Sequence, residues 1–197
     1  MRTYKLLLAI MLTPALLFAL PRTLAAQQAG ASDQVKAAEA RQLADRLFEI
    51  GKTDDAKAIY LRIASSFSND FAFNKRLAYC FFVSRKPEMD KAARYYARAY
   101  ELNPKDPEVE MNLGKAYSWA QQYRAAVPIF RRIVARDPSN GEAWLELARA
   151  QNYGGEPQAA KATYEAYLER WAGDREVRLE YAALLSWSKQ PEAALQQ

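Results

Sequence analysis

Apolar side chains recur at helical spacing along most of the chain, as in Ala126, Phe130 and Ile133. Each predicted helix therefore carries one apolar stripe and one polar face. Turn residues interrupt the stripes at regular intervals, at Gly51, Arg85–Glu88, Gln121-Gln122, Gly154-Gly155 and Lys189-Gln190. The pattern predicts an all-α fold built from short antiparallel helix pairs.

The helix pairs are copies of one unit. Pro107–Asn140 and Gly141–Asp174 align without gaps over 34 residues each, and the chain from Arg175 onward continues the alignment. In the first of these segments the pattern L-G-x2-Y…A-x3-F…P falls on Leu113-Gly114, Tyr117, Ala126, Phe130 and Pro138. In the second, the matching residues are Trp144, Leu147-Ala148, Ala160 and Tyr164.

Two earlier segments carry the same pattern more loosely. Residues 37–70 hold Leu43-Ala44, Leu47, Gly51, Ala56 and Tyr60 at the signature positions. Residues 71–106, which have two extra residues in the turn 85–88, hold Leu77-Ala78, Phe81, Ala92, Tyr96 and Pro104. The pattern resembles the tetratricopeptide repeat, a helix–turn–helix unit of the same period. The resemblance implies a right-handed superhelical solenoid of antiparallel helix pairs, with units at 37–70, 71–106, 107–140, 141–174 and an incomplete 175–197.

Prolines and small residues fit this register. Pro157 and Pro191 fall where second helices begin, and Pro104 and Pro138 fall where they end. The Gly or Ala of each unit lets paired helices approach closely, and stacking the units makes one continuous core. Pro128 lies inside a predicted helix, and we expect a local kink there.

Residues 1–26 have the layout of a secretory signal peptide. Arg2 and Lys5 precede an apolar run, and the segment ends in small residues, so cleavage is expected after Ala25 or Ala26. Residues 27–36 are then a short linker or the start of a helix. The chain is expected to be exported to the periplasm or cell envelope, with no stable transmembrane segment after cleavage. An uncleaved membrane anchor is the alternative.

Composition excludes most catalytic chemistry. The chain has no His and one Cys, which removes imidazole bases, Ser–His and Cys–His pairs, and His- or Cys-rich metal sites. We therefore predict neither an enzyme nor a cofactor. The 28 basic and 23 acidic residues become 25 and 23 once residues 1–26 are removed, so nucleic-acid binding is not expected. The one cysteine, Cys80, sits among apolar residues and is expected to be a buried filler, with an intermolecular disulfide as the alternative.

The resemblance also places candidate binding residues. In this family, a clamp for a peptide C-terminus uses Lys, Asn and Arg side chains on successive first helices. The matching positions here hold Lys75, Tyr79, Asn112, Glu142 and Glu146. Lys75 and Asn112 fit the clamp, but acids replace its later basic residues and would repel a carboxylate. Chaperone-tail binding is therefore not expected, whereas Lys75, Tyr79 and Asn112 stay candidate contacts for another ligand.

Three aromatic residues outside the family signature also repeat. Trp119, Tyr153 and Trp187 are 34 residues apart in succession, each at the end of a first helix. Polar residues precede them in step, at Ser118, Asn152 and Ser186. The rings could stack on sugars or clasp an extended peptide, or they could pack in the turn to the next helix. The packing interpretation is preferred, because aromatic residues at repeat spacing more often belong to the core.

Together these features predict an exported, non-catalytic scaffold that binds a protein, peptide or polymer on its concave face. Two alternatives stay open. The segments Tyr117-Ser118-Trp119 and Leu185-Ser186-Trp187 are similar to arrays that precede outer-membrane barrels in exopolysaccharide-export systems. In that case the chain is the periplasmic arm of such a protein and exopolysaccharide is a partner. The second alternative is the non-catalytic N-terminal part of an envelope enzyme.

Overall fold

The computed structural model describes the backbone of residues 14–187 and the side chains from Gly30 onward. This part of the chain is helical throughout, with short turns between the helices, and each helix packs against its neighbours along the chain. The helices are α1 Pro14–Glu49, α2 Thr53–Ile63, α3 Phe71–Val83, α4 Met89–Leu102, α5 Pro107–Trp119, α6 Tyr123–Arg136, α7 Gly141–Tyr153, α8 Pro157–Arg170 and α9 Arg175–Trp187. A short 3₁₀ turn, Ala64–Phe67, follows α2. The predicted all-α solenoid is confirmed.

Helix α1 runs through the boundary predicted for the signal peptide. Helix α1 is unbroken from Pro14 to Glu49, so residues 27–36 are helical here, and cleavage of residues 1–26 stays a prediction. Among the helices of residues 14–187, none is both long and apolar enough to cross a bilayer. Three predicted features lie outside the described residues: the turn at Lys189-Gln190, the helix start at Pro191 and the rest of the fifth unit.

The first helices of the later units share a side-chain cap. In each, the residue before the helix accepts a hydrogen bond from the backbone N–H three residues further on. The pairs are Asp70 with Phe73, Asp106 with Val109, Asn140 with Ala143, and Asp174 with Val177. Such caps satisfy an N–H group that has no partner inside the helix. They fix where each unit starts.

The signature positions form the core. The second-helix alanines and rings are buried in all four complete pairs: Ala56, Ala92, Ala126, Ala160, Tyr60, Tyr96, Phe130 and Tyr164. Trp144 packs against two clusters of buried residues, one spanning α1 to α7 and one spanning α7 to α9, and so joins them. Cys80 is buried as expected, and burial raises the pKa of its thiol to about 12.

One signature position of the first unit departs from this pattern. Leu43 is 45% exposed, although its counterparts Leu77, Leu113 and Leu147 are buried. Among the described residues, no helix pair precedes the first unit that could cover Leu43. Pro128, in contrast, lies on the exposed side of α6, and the helix continues past it to Arg136.

Candidate functional site

Ion pairs connect each first helix to the next along the array. Arg41 contacts Asp70 at 2.7 Å, Lys75 contacts Glu108 at 2.7 Å, and Arg149 contacts Glu180 at 2.5 Å. Lys115 bonds Glu142 between α5 and α7. These partly exposed pairs bridge successive first helices and compensate the charges of the residues that form them.

A groove of about 820 Å³ opens between the first three units. Its walls carry four large apolar side chains, Phe48, Phe71, Tyr79 and Val83. The remaining lining residues are small or charged: Glu49, Gly51, Thr53, Ala72, Lys75, Arg76 and Glu108. Tyr79 is 38% exposed and meets the edge of Phe48, with ring centroids 5.6 Å apart. The groove therefore offers apolar contact area with charged groups at its rim.

The charged groups of the groove are compensated within the protein. Lys75 lies 3.1 Å from Asp106 and 2.7 Å from Glu108. Burial alone would lower the pKa of Lys75, but its hydrogen bonds to these two carboxylates outweigh burial and raise it. Arg76 likewise forms an ion pair within the protein, with Asp45 at 2.6 Å. A ligand in this groove therefore meets neutralised ion pairs instead of free cations.

The structure brings together only part of the predicted clamp. Lys75 and Tyr79 line the same groove, whereas the side chain of Asn112 lies beside the buried hydroxyl of Tyr96. Glu142 is paired with Lys115, and Glu146 lies 3.3 Å from Arg149. Because Lys75 already contacts two carboxylates, this arrangement presents no free cation to a peptide C-terminus.

The aromatic ladder, defined as Trp119, Tyr153 and Trp187, is exposed. The exposed fractions are 55% for Trp119, 67% for Tyr153 and 88% for Trp187. For Trp119 and Tyr153, the preferred interpretation that the ring is buried in the turn to the next helix is therefore wrong. The turn that follows Trp187 lies outside the described residues. Trp119 and Tyr153 are the last residues of α5 and α7, and Trp187 is the last described residue of α9.

Two rings of the aromatic ladder nevertheless pack against another aromatic ring on one side. Trp119 stacks on Phe82, with ring centroids 4.8 Å apart and 15° between the planes. Tyr153 leans on Tyr123 at 5.7 Å. In both cases the supporting ring belongs to the preceding unit. One face of each ring is thus fixed, and much of the remainder is open to solvent.

A cavity lies between each pair of successive rings of the aromatic ladder. The first, of about 360 Å³, is lined by Trp119 and Tyr153 together with Ser118, Gln121, Tyr123, Glu146, Arg149 and Ala150. The second, of about 450 Å³, is lined by Tyr153 and Trp187 together with Asn152, Tyr164, Glu180, Ala183 and Leu184. We call these cavities slot 1 and slot 2. The ring ladder and the polar residues beside it therefore form one repeating surface.

The sequence pattern did not predict the groove at Phe48 and Phe71, nor the buried carboxylate of Glu110. Phe71 has no aromatic counterpart in the later units, and Phe48 has one only in Phe82, so no sustained repeat signal marks the two rings. Glu110 is 1% exposed and contacts Arg132 and Arg136, each at 2.6 Å. The i, i+4 spacing of these two arginines places them on one helix face, but nothing in the sequence indicates that a carboxylate of the neighbouring helix is buried against them.

Comparisons with known proteins agree with the repeat architecture. Models described as tetratricopeptide repeat match residues 41–107, 88–144 and 142–173. No curated protein matches the chain.

Solved structures share the fold at low sequence identity. MamA 41-end from Desulfovibrio magneticus RS-1 is 15% identical, with a TM-score of 0.67 over 82% of this chain and 90% of that one. MamA MSR-1 is 19% identical, with a TM-score of 0.67 over 82% of this chain and 92% of that one. YrrB, titled a TPR protein with an unusual peptide-binding site, is 16% identical, with a TM-score of 0.67 over 86% and 87%.

Proposed function

The chain belongs to the tetratricopeptide repeat family, and we propose that it is an exported, non-catalytic scaffold that holds an extended segment of a partner protein on its concave face. The binding site in this proposal is the groove lined by Phe48, Phe71, Tyr79 and Val83. A scaffold of this kind positions its partner and performs no chemistry on it.

The groove is the observation that carries this proposal. Apolar pockets with a few polar groups at the rim are the usual form of a binding site. The four apolar side chains come from α1 and α3, so stacking of the first two units is what builds the site. YrrB, which has the same fold, carries a peptide-binding site according to its title, and this supports a peptide ligand here.

The compensated charges of the groove determine which kind of peptide it can select. Lys75 and Arg76 contact internal carboxylates, so an acidic peptide gains little from them. We expect the groove to select a peptide by an apolar or aromatic side chain placed against Phe48 and Tyr79. Charged residues of the peptide would lie toward the rim and contribute mainly to orientation.

Selection of displayed random peptides by the full chain tests the proposal. The selected peptides should share apolar residues, and Tyr79→Arg should weaken their binding at least about tenfold, because a charged side chain then enters the apolar wall. Tyr153→Arg is the matched control, since it alters an exposed tyrosine outside the groove. Equal loss in both variants, or no selected peptide sensitive to Tyr79, would contradict a peptide site in this groove.

Export is proposed from residues 1–26 alone. The polymer-binding alternative has a separate observation in its favour, the exposed ladder.

A further inference from the structure

We propose that the aromatic ladder is a track for an extended neutral oligosaccharide. This inference goes beyond the peptide groove, because the ladder and its two slots share no lining residue with that groove. It is carried by three features of the described residues: open ring faces, slots whose charged groups are compensated, and a buried hydroxyl without a partner.

The ring faces are exposed and already held in place. Trp119 is stacked on Phe82 and Tyr153 leans on Tyr123, so both rings are positioned before a ligand arrives. A pre-positioned ring loses little conformational entropy on binding. A pyranose ring has one face made of C–H groups, and that face matches the open face of an indole or phenol.

The slots between the rings hold a few polar groups within largely apolar walls, and the charges of these groups are compensated. Slot 1 contains Gln121, Glu146 and Arg149, and slot 2 contains Asn152 and Glu180. Arg149 lies 3.3 Å from Glu146 and 2.5 Å from Glu180, so its charge is shared between two carboxylates. Amide, carboxylate and guanidinium groups at this place can donate to and accept from the hydroxyls at the rim of a sugar ring.

These walls fit a sugar better than a peptide or a polyanion. A peptide held by its apolar side chains, as proposed for the groove at Phe48 and Tyr79, needs pockets large enough to receive those side chains. The slots are flanked by helix ends, and Leu184 is the largest aliphatic residue in their lining. A polyanion needs unpaired cations, and the one cation in the lining, Arg149, is paired with Glu146 and Glu180.

Ser118 provides an independent indication of a ligand. It is 9% exposed, it lines slot 1 beside Trp119, and its hydroxyl has no hydrogen-bond partner within the described residues. A buried polar group without a partner is costly, and such groups in native proteins call for an explanation. The hydroxyl oxygen is itself inaccessible in this conformation, so a ligand hydroxyl in slot 1 would supply the missing bond once the Ser118 side chain turns toward the slot.

The repeat gives the proposed site a length dependence. Equivalent rings follow one another at intervals of 34 residues, so a longer oligosaccharide can contact a second ring once the first is occupied. The second contact is then intramolecular and strengthens binding without any new kind of interaction. A disaccharide should therefore bind more weakly than a hexasaccharide of the same sugar.

Calorimetric titration of the full chain tests the proposal. The probes are cellohexaose, chitohexaose, maltohexaose and mannohexaose, with the matching disaccharides and with an alginate hexamer as the polyanion. At least one neutral hexasaccharide should bind, and Trp119→Ala and Tyr153→Ala should each weaken it at least about tenfold. Trp119→Phe, which keeps a ring on Phe82, should restore most of the affinity.

Controls separate this site from the peptide groove and from loss of fold. Tyr79→Arg should leave hexasaccharide affinity unchanged, and thermal melts should show that each variant is folded. The proposal is overturned if no neutral hexasaccharide binds, if binding survives loss of the rings, or if only the alginate hexamer binds. Loss of selected-peptide binding in Tyr153→Ala without any sugar binding would instead make the ladder a peptide site.

Discussion

A Cβ atom on Gly114 would lie 2.7 Å from Cε1 of Phe130. Phe130 is fully buried, so its ring has no free space into which it can move. The glycine of α5 and the ring of α6 therefore set the distance between the two helices of the third unit. The same relationship explains why the signature pairs a small residue in the first helix with a ring in the second.

Gly114→Leu is expected to destabilise the array by about 1–3 kcal/mol, the usual cost of overpacking a core. The gain of about 1 kcal/mol from replacing a helical glycine does not offset a clash with a buried ring. Urea unfolding measures the difference. Arg131→Ala, on the exposed side of α6, should stay within about 0.5 kcal/mol of the original chain. Equal unfolding free energies for the two variants would contradict the assigned register.

The exposure of the ladder predicts a small effect of its rings on stability. Trp119→Ala should cost about 0.5–1.5 kcal/mol, the range of a stacked aromatic pair. Phe130→Ala, which removes a fully buried ring, should cost about 3–5 kcal/mol. Thermal and urea unfolding of both variants gives the comparison. A cost for Trp119→Ala as large as that for Phe130→Ala would show that the ladder is packing.

The sequence predicts the fold far better than the sites. Periodic alanines and rings, such as Ala126 and Phe130, report burial because each unit repeats the same contact with its neighbours. Trp119 repeats at the same period and is nevertheless exposed. A repeat period shows that positions are structurally equivalent, but it does not show that they are buried. Exposure at the end of a helix depends on whether a neighbouring element covers it. Phe48 and Phe71 meet only when the first two units stack, so no local pattern marks their groove.

Export predicts a specific N-terminus for the mature protein. Cleavage after Ala25 or Ala26 should leave a chain that begins at Ala26 or Gln27. Mass spectrometry of the intact protein from the periplasmic or secreted fraction measures this directly. A mature chain that keeps Met1 would exclude cleavage and favour the uncleaved anchor.

Asp106 predicts a component of stability that depends on pH. Burial tends to raise the pKa of Asp106, but hydrogen bonds from the Val109 N–H and from Lys75 outweigh it, so the pKa is lowered. A lowered pKa stabilises the folded state above the ordinary value of about 4, and the contribution is lost as pH falls through the folded value.

Asp106→Asn should therefore be less stable than the original chain at pH 7 by about 1 kcal/mol. The asparagine keeps the helix cap but loses the charge, so the gap should narrow as the pH falls below about 4. Urea unfolding at several pH values measures the gap. Asp33→Asn, at an exposed position of α1, is the control for loss of a carboxylate. A gap that is constant with pH would contradict a charge contribution from Asp106.

The buried carboxylate of Glu110 predicts an asymmetric response to mutation. Its side chain is 1% exposed, whereas those of Arg132 and Arg136 are 48% and 51% exposed. Removing the carboxylate leaves two guanidinium groups that water can still solvate. Removing the two cations leaves a buried charge that water cannot reach, which is the costlier outcome.

Glu110→Gln should accordingly cost about 1–3 kcal/mol, as expected for loss of hydrogen bonds to charged groups. The double variant Arg132→Met/Arg136→Met should cost about 3–5 kcal/mol, because it breaks a buried ion pair from the exposed side. Methionine is chosen because it keeps an apolar stem over Tyr100, the ring that Arg132 covers at 5.2 Å. Equal costs for the two variants at pH 7 would show that Glu110 is solvated and that the arginines are not its essential partners.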